Sequence, residues 1–532
     1  RGAGAAQKAG AAHALHLPMS AVRVETRRMG GGFGGKESQG NALAISCALV
    51  AHATGRPCKM RYDRDDDMMI TGKRHDLRIK YRAGHDAEGR LIGVEFTHLF
   101  RCGWSQDLSL PVADRAMLHA DNCYHLSDVR IESHRLRTNT QSATAYRGFG
   151  GPQGIVGIER VIDHIAHAVG RDPLDVRALN FYNSNGIGGP GTGRRYGGPN
   201  SPVNSQPQTT PFHMEVEDFI GHELVAELEQ TSNYRARRAE ISAWNATSPI
   251  LKRGIALVPV KFGISFTLTW LNQAGALVHV YQDGSIMLNH GGTEMGQGLN
   301  QKVAQVAADI FGVDTAQVKI TATDTAKVPN TSATAASSGS DLNGMATKAA
   351  CETIKARLAA FIADKHGVPV ATVKFADGQV KVAGEHYGFA QVAAWAYQAR
   401  ISLSSTGYYA TPNITWDRVR GKGRPFLYFA YGAAVTEVVI DSLTGENRIL
   451  RVDILHDTGT SLNPALDIGQ VEGAYVQGAG WLTTEELVWN GKGQLATHAP
   501  STYKIPACSD RPAVFNVALW GKPNREDTVG KS

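Results

Sequence analysis

The sequence predicts a mixed fold, α+β or α/β with duplicated substructure, and two observations point to it. Glycine-rich loops recur between strand-like and helix-like patterns, and a short unit of helix end, loop and strand comes three times along the chain. The first loop, Gly30-Gly-Gly-Phe33-Gly-Gly-Lys36-Glu37, follows Val22 and Val24, which alternate with polar residues as in a strand. It precedes a helix rich in Ala, Leu and Ile that stops near Gly55. The second, Tyr146-Arg147-Gly148-Phe149-Gly150-Gly151-Pro152-Gln153-Gly154, leads into a helical pattern from Ile158 to Val169. The third, Gly291-Gly-Thr-Glu-Met295-Gly296-Gln297-Gly298, comes after a hairpin turning at Asp283-Gly284. A helix with Leu299, Val303, Val306 and Ile310 on one face comes next. The repeated unit reads Leu17-Pro-Met-Ser-Ala-Val-Arg-Val24, Val313-Asp-Thr-Ala-Gln-Val-Lys-Ile320 and Val368-Pro-Val-Ala-Thr-Val-Lys-Phe375.

A chain of 532 residues is too long for one ordinary core. The Gly/Pro-rich stretch 183–211 shows neither helical nor strand period and reads as a linker or long loop between a first part, 1–182, and a second, 212–532. Composition is that of a soluble globular protein, 42% hydrophobic and 20% charged, with no apolar run long enough for a bilayer. A net charge of +6 is small for this length, the basic residues are scattered, and no nucleic-acid module is expected. The six cysteines form no C-x-x-C pair, which excludes an iron–sulfur cluster bound by this chain alone and fits a reducing compartment, the cytoplasm.

Glycine loops that open helices let a polar or anionic ligand reach backbone N–H groups at the positive end of the helix dipole. A nucleotide phosphate loop is excluded, because Gly30 to Lys36 fits G-x-x-x-x-G-K but Glu37 stands where a Ser or Thr hydroxyl is needed. Asp63, Asp65 and Asp67 imitate a calcium loop, yet Met68 sits where glycine is required and Arg74 replaces the bidentate acid. His119, Cys123 and His125 read as a surface or core set rather than a metal site. Neither G-x-S-x-G nor H-E-x-x-H occurs.

The three loops together resemble the molybdopterin and substrate loops of xanthine dehydrogenases. Further matches follow in the same order: Lys261-Phe-Gly-Ile-Ser-Phe-Thr267, Pro329-Asn-Thr-Ser-Ala-Thr-Ala-Ala336, Gln470-Val-Glu-Gly-Ala-Tyr-Val-Gln477-Gly and Pro500-Ser-Thr-Tyr-Lys-Ile-Pro506. They span nearly all of the chain after about Ala11, and the likeness is nearest to the separate molybdenum-binding subunit of the bacterial enzymes. The resemblance implies an α+β fold, the molybdopterin-binding domain of the xanthine oxidase/aldehyde oxidase type, with two elongated mixed subdomains. It implies molybdenum held by the dithiolene sulfurs of a pterin, so the protein's task is to bind the pterin and orient the substrate. Phe33, Arg147 and Ala336 are then expected around the metal, and Gly296, Gln297, Ala335 and Gln477 on the cofactor.

For substrate, the resemblance implies Glu37, Arg115, Phe149, Phe266 and Thr267. The chemistry agrees. Arg115 offers a planar charged fork for a ring carbonyl and for negative charge built during attack. Glu37 meets the polar edge of the ring, and the two phenylalanines contact its face and edge. Taken alone, Glu37 also suits a first-turn helix acid, Arg115 a surface ion pair and Phe266 a core position. Aldehyde oxidases resemble this pattern but are expected to lack the Glu/Arg pair, which favours a purine.

The expected reaction is oxidation of hypoxanthine or xanthine to urate with water as oxygen source. Electrons would leave through a partner subunit carrying 2Fe-2S and FAD to NAD, in a hetero-oligomer. The alternatives are hydroxylation of another purine, an N-heterocycle or an aldehyde, or a truncated non-catalytic paralogue. Two departures matter. The family's general base, a glutamate in a Gly-Glu-Pro-Pro setting, is expected beyond Ser532, and a glutamine near the metal falls here on Gly2. Such a base is worth about 10²–10⁴-fold, so the chain alone is expected to be inactive or a piece of a longer gene product.

Overall fold

A computed structural model describes residues 2–183, 208–327 and 330–522. Its organising feature is one unit used three times: an antiparallel hairpin, a helix, and a strand that returns parallel to the second hairpin strand. The first copy is Leu77–His85, Leu91–Gly103, helix Ser109–Met117 and strand Val129–Arg137. The second is Gln273–Val280, Ile286–His290, helix Leu299–Phe311 and Val318–Ile320. The third is Tyr428–Asp441, Asn447–His456, helix Pro464–Thr483 and Val514–Leu519. Leu251–Ile264 extends the third sheet antiparallel to Tyr428–Asp441, and Ser404–Ala410 extends the second antiparallel to Gln273–Val280. Antiparallel pairing dominates the two four-stranded sheets and equals parallel pairing in the three-stranded first one, each with one parallel strand at an edge, and this is α+β rather than doubly wound α/β.

Two large cores hold these sheets. One combines Phe96, Val161, Ile162, Leu224 and Leu257 with Val435 and Leu455, so it joins stretches far apart in the chain. Helix Gly151–Val169 supplies Ile158, Val161, Ile162 and Ile165 as a single buried stripe at helical spacing. The other core comes wholly from residues 278–403: Val278 and Leu288 of the sheet, Val303 of one helix, and Ile354 and Leu358 of the 28-residue helix Gly339–His366. Residues 184–207, most of the expected linker, lie outside the described residues. Among the described residues no helix is long and apolar enough to cross a membrane.

Local structure departs from the sequence reading in instructive places. The strand expected at Val22 and Val24 begins only at Glu25 and is two residues long, paired with Thr323–Asp324. Pro18 starts a 3-10 turn over Met19–Ala21, and Arg23 is drawn to the Asp324 carboxylate, with Nε to Oδ2 at 2.8 Å. The same turn recurs at Thr315–Gln317 and Val370–Thr372, so all three copies of the short repeat share a 3-10 turn closed by a valine. The helix after the second loop starts at Gly151, well before Ile158, because Pro152 fits a first turn. Asp63, in the calcium-like run, is the N-cap of helix Arg64–Ile70 and accepts the Asp66 N–H at 2.8 Å.

Candidate functional site

The three glycine loops converge. Met29 N–H donates to Glu294 O at 2.9 Å, joining the first loop to the third. Gly34, at φ +113°, passes so close to the strand before the second loop that a Cβ would lie 2.6 Å from Ala145 O, so only glycine fits there. Lys36 Nζ donates to Gly31 O at 2.5 Å and closes the first loop on itself.

Two of the three residues expected around the metal, and a neighbour of the third, stand in strained backbone. Phe33 has φ 56° and Ala336 φ 59°, and Phe149, two residues after Arg147, has φ 53°. Such conformations cost about 1–3 kcal/mol each and persist where surrounding structure over-determines them, which is characteristic of ligand sites. Phe33 is 52% exposed, with the Arg147 guanidinium 5.9 Å from its ring centre. Arg147 Nη1 donates to Gln477 Oε1 at 3.1 Å and Nη2 to Gln470 O at 2.9 Å, both on helix Pro464–Thr483. Phe33, Arg147 and Gln477 are therefore brought together from three distant parts of the chain.

In the third loop Gln297 is pre-set by its own neighbours. Its Nε2 donates to Thr293 O at 3.0 Å and its Oε1 accepts the Met295 N–H at 2.6 Å. Gly296, at φ +99°, faces open space, with nothing within 4 Å of where a Cβ would stand. The helix N-terminus is not free, however. Glu294 takes the N–H groups of Gly296, Gly298 and Asn300 at 2.8–3.1 Å, so the ring of donors expected from a glycine loop is already satisfied internally. Ala335 and Ala336 precede helix Gly339–His366, and their segment meets the third loop where Thr293 N–H donates to Thr334 Oγ1 at 2.9 Å.

On the substrate side, Arg115 lies in the last turn of helix Ser109–Met117 and is 1% exposed. Its Nη1 donates to Ser265 O at 2.8 Å and its Nη2 to Gly263 O. Burial pulls its pKa down to about 9, which still leaves it charged at neutral pH. Its Nε has no partner, and among the described residues no carboxylate pairs with it. A surface ion pair is thus excluded for this arginine. Phe149 and Phe266 meet edge to face, centroids 6.5 Å apart at 86°. Asn272 clamps Phe266 by accepting its N–H at 2.7 Å and donating to its carbonyl at 2.9 Å, and Thr267 is buried beside it.

Glu37 lies four residues before helix Asn41–Thr54, outside its first turn, so dipole stabilisation does not account for it. Burial raises its pKa; its own backbone N–H opposes this and the Asp107 charge adds to it. Nearby, burial holds His75 down at about 4, and its Nε2 shares a 2.8 Å hydrogen bond with Ser109 Oγ. Glu37 and Arg115 form no ion pair with each other among the described residues. Sequence reasoning missed Glu294, Asn272 and Arg74, which donates to Arg147 O at 3.1 Å while packing between Tyr146 and Trp481. His119, read as part of a surface or core set, lies in the core beside Arg115, its Nδ1 2.9 Å from Arg115 O.

Among the described residues no group of three His, Cys, Asp or Glu side chains is placed to hold a metal ion. The convergent groups are amides, guanidinium and main chain, a donor set suited to a polar organic cofactor.

Comparison with known proteins agrees with this donor set. Two family models, each described as "Molybdopterin cofactor-binding domain", match residues 5–181 and 227–512. The chain is 42% identical over 518 residues to a xanthine dehydrogenase of Drosophila subobscura, covering 96% of this chain and 35% of the relative. It is 43% identical over 508 residues to a xanthine dehydrogenase/oxidase of Gallus gallus, covering 96% and 34%. It thus spans about a third of the length of these curated relatives. A quinoline 2-oxidoreductase from Pseudomonas putida 86 shares the fold, with a TM-score of 0.82 at 23% identity over 97% of this chain and 64% of that one. This chain belongs to the molybdopterin cofactor-binding domain family.

Proposed function

We propose that this chain is the molybdenum-cofactor portion of a hydroxylase that oxidises hypoxanthine and xanthine to urate with water as oxygen source. Its electrons pass to a partner carrying 2Fe-2S and FAD and then to NAD, in a cytoplasmic hetero-oligomer. In this reading 1–182 and 212–532 are the two cofactor-binding subdomains.

One observation carries the substrate assignment. Arg115 is a wholly buried guanidinium with an unpartnered Nε and no carboxylate counter-charge among the described residues. Burying a charge that has main-chain carbonyls and ring faces as partners but no counter-charge is unfavourable, and a substrate that develops negative charge in its ring offsets that cost when it binds and reacts. The perpendicular pair Phe149/Phe266 supports a flat ring between face and edge contacts, with Thr267 at its margin. A Glu37 carboxyl whose pKa is raised by burial suits a group that exchanges hydrogen bonds with the polar edge of a heterocycle.

The residues present fit a pterin. Open space at Gly296 admits a flat ring against the main chain, and Gln297 and Gln477 offer amides already oriented by Thr293 and Arg147. Ala335 would lie along the same edge, with the main chain of Phe33, Arg147 and Ala336 toward the metal. When bound, the molybdenum centre supplies the two-electron oxidation and oxygen transfer. This chain's residues orient the ring, exclude water and stabilise charge.

The test is turnover of the native holoenzyme. Loaded enzyme is expected to form urate from xanthine, and no urate despite full molybdenum content overturns the reading. Arg115→Met is expected to lower kcat/KM for xanthine by about 10²–10³-fold, as for loss of a charge-stabilising donor, and for an aldehyde by far less. Equal losses remove Arg115 from purine recognition.

A further inference from the structure

The carbonyl of Arg115 belongs to the final turn of helix Ser109–Met117, where the amide that would normally reach it is diverted. His119 N–H bonds to Ala116 O at 3.3 Å instead. The His119 side chain takes over. Its Nδ1 is 2.9 Å from Arg115 O, and its Nε2 is 3.0 Å from the Gly263 amide. Because Gly263 N–H donates to Nε2, the proton must sit on Nδ1 and be donated to the carbonyl, which fixes one tautomer. Gly263 in turn accepts from Arg115 Nη2. The result is a closed ring: arginine main chain to histidine, histidine to Gly263 amide, Gly263 carbonyl back to the same arginine's guanidinium.

The packing repeats this arrangement. His119 lies 4.6 Å from the Phe262 ring and 5.3 Å from Phe426, and the Arg115 guanidinium is 4.7 and 5.2 Å from the same two rings. Gly263 is anchored by pairing with Phe429 in the four-stranded sheet. Arginine has many rotamers, so a binding arginine at a helix end needs such restraint on both its backbone and its head group.

We propose that His119 is the positioning residue of Arg115, tying its main chain and its guanidinium to the single residue Gly263 so that the fork is held for the purine. This rests on the reading of Arg115 as a purine-binding group.

The test is a double-mutant cycle in the holoenzyme, with molybdenum content measured for each variant. The readouts are kcat and KM for xanthine and for benzaldehyde, and urate binding by calorimetry. His119→Leu is expected to load molybdenum normally, to lose about 10–100-fold in kcat/KM on xanthine, and to lose under about 3-fold on benzaldehyde. Urate binding should weaken in parallel. In an Arg115→Met background the same change should cost less than about 3-fold on xanthine. His119→Gln, whose amide can both accept from Gly263 and donate to Arg115, should recover most of the loss. Should His119→Leu fail to load, His119→Asn, too short to span both partners, takes its place in the cycle.

Additive losses in the cycle, or equal falls on both substrates at full molybdenum content, overturn the proposal. Equal losses from Arg115→Met alone overturn the purine reading and this proposal with it. A selective Arg115→Met combined with an additive His119→Leu overturns this proposal alone.

Discussion

The two large cores are built in opposite ways. One takes its members from residues 278–403 alone, a hairpin, three helices and short strands closing on themselves. The other joins the sheet at Leu91–Gly103 and helix Gly151–Val169 to strands at Leu251–Ile264 and Tyr428–Asp441, hundreds of residues apart. Their polar content differs as well. The assembled core encloses Lys261 on Asp121, at 2.9 Å, with Tyr182 donating to the same oxygen at 2.6 Å, and an Arg237–Glu437–Asp453 network. The region of the contiguous core buries mainly neutral polar side chains, Asn289, His290, Asn343 and Thr347 among them, and its own ion pairs Lys348–Glu352 and Lys381–Asp377 lie at the surface. Long-range closure is entropically costly, and a buried ion pair adds little net stability while losing one partner of it is strongly destabilising. The proposed site residues belong to neither core: Phe149 packs on a smaller cluster around Phe100 and Val112, and Gln297 and Ala336 lie in loops ahead of helices Leu299–Phe311 and Gly339–His366.

The largest effect is expected where the assembled core is pinned. Lys261→Met leaves Asp121 buried without a counter-charge, Tyr182 remaining as a donor, and should cost about 3–5 kcal/mol by chemical denaturation. Replacing both partners, Lys261→Met with Asp121→Leu, should return most of that loss. A single-variant cost below about 1 kcal/mol means the pair is hydrated or dispensable, and the contrast between the cores fails.

In the contiguous core, Leu358→Ala removes a fully buried side chain from helix Gly339–His366 and should cost about 2–5 kcal/mol. The consequence should be local. Hydrogen exchange should accelerate across 273–410 while Leu91–Gly103 stays protected, whereas Lys261→Met should loosen 91–137 and 428–456 together. Uniform acceleration from Leu358→Ala shows instead one cooperative unit.

This difference also explains what could be read from the sequence. Helices Leu299–Phe311 and Gly151–Val169 were legible because their apolar spacing is local. The hairpin at Asp283-Gly284 was legible from its turn residues. The threefold hairpin, helix, parallel-strand unit was not, because parallel pairing joins residues such as Arg451 and Val514 with no local signal. At the site, residues in motif strings were nameable: Phe33, Arg147, Phe149 and Gln477. Glu294 carries a local signal, an acid just ahead of a helix in a glycine-rich loop whose amides it can accept from. His119 did not, since its two partners, Arg115 O and Gly263 N–H, are main-chain groups set by the meeting of helix Ser109–Met117 with strand Leu251–Ile264.

The smallest effect tests whether stability is given up at the site rather than in either core. In Asp324, Glu437 and Asp453 burial pushes the carboxyl up, but hydrogen-bonding partners, arginines among them, bring the net below the ordinary value. Glu37 is the reverse case, raised by burial and by Asp107 against the pull of its own amide. Its folded form therefore holds a proton more tightly than the unfolded chain does. Stability then falls as pH rises from the ordinary carboxylate range through the raised value, and the full cost is present above it. Glu37→Gln removes that cost, so at neutral pH it should raise Tm by an amount equivalent to less than about 1 kcal/mol while xanthine turnover falls. The gain should fade as pH falls below the ordinary carboxylate range, where the carboxyl is protonated in the folded and the unfolded chain alike. A lower Tm at neutral pH, or a gain that persists in acid, would mean Glu37 is structurally satisfied, and the site would then be no different in kind from the cores.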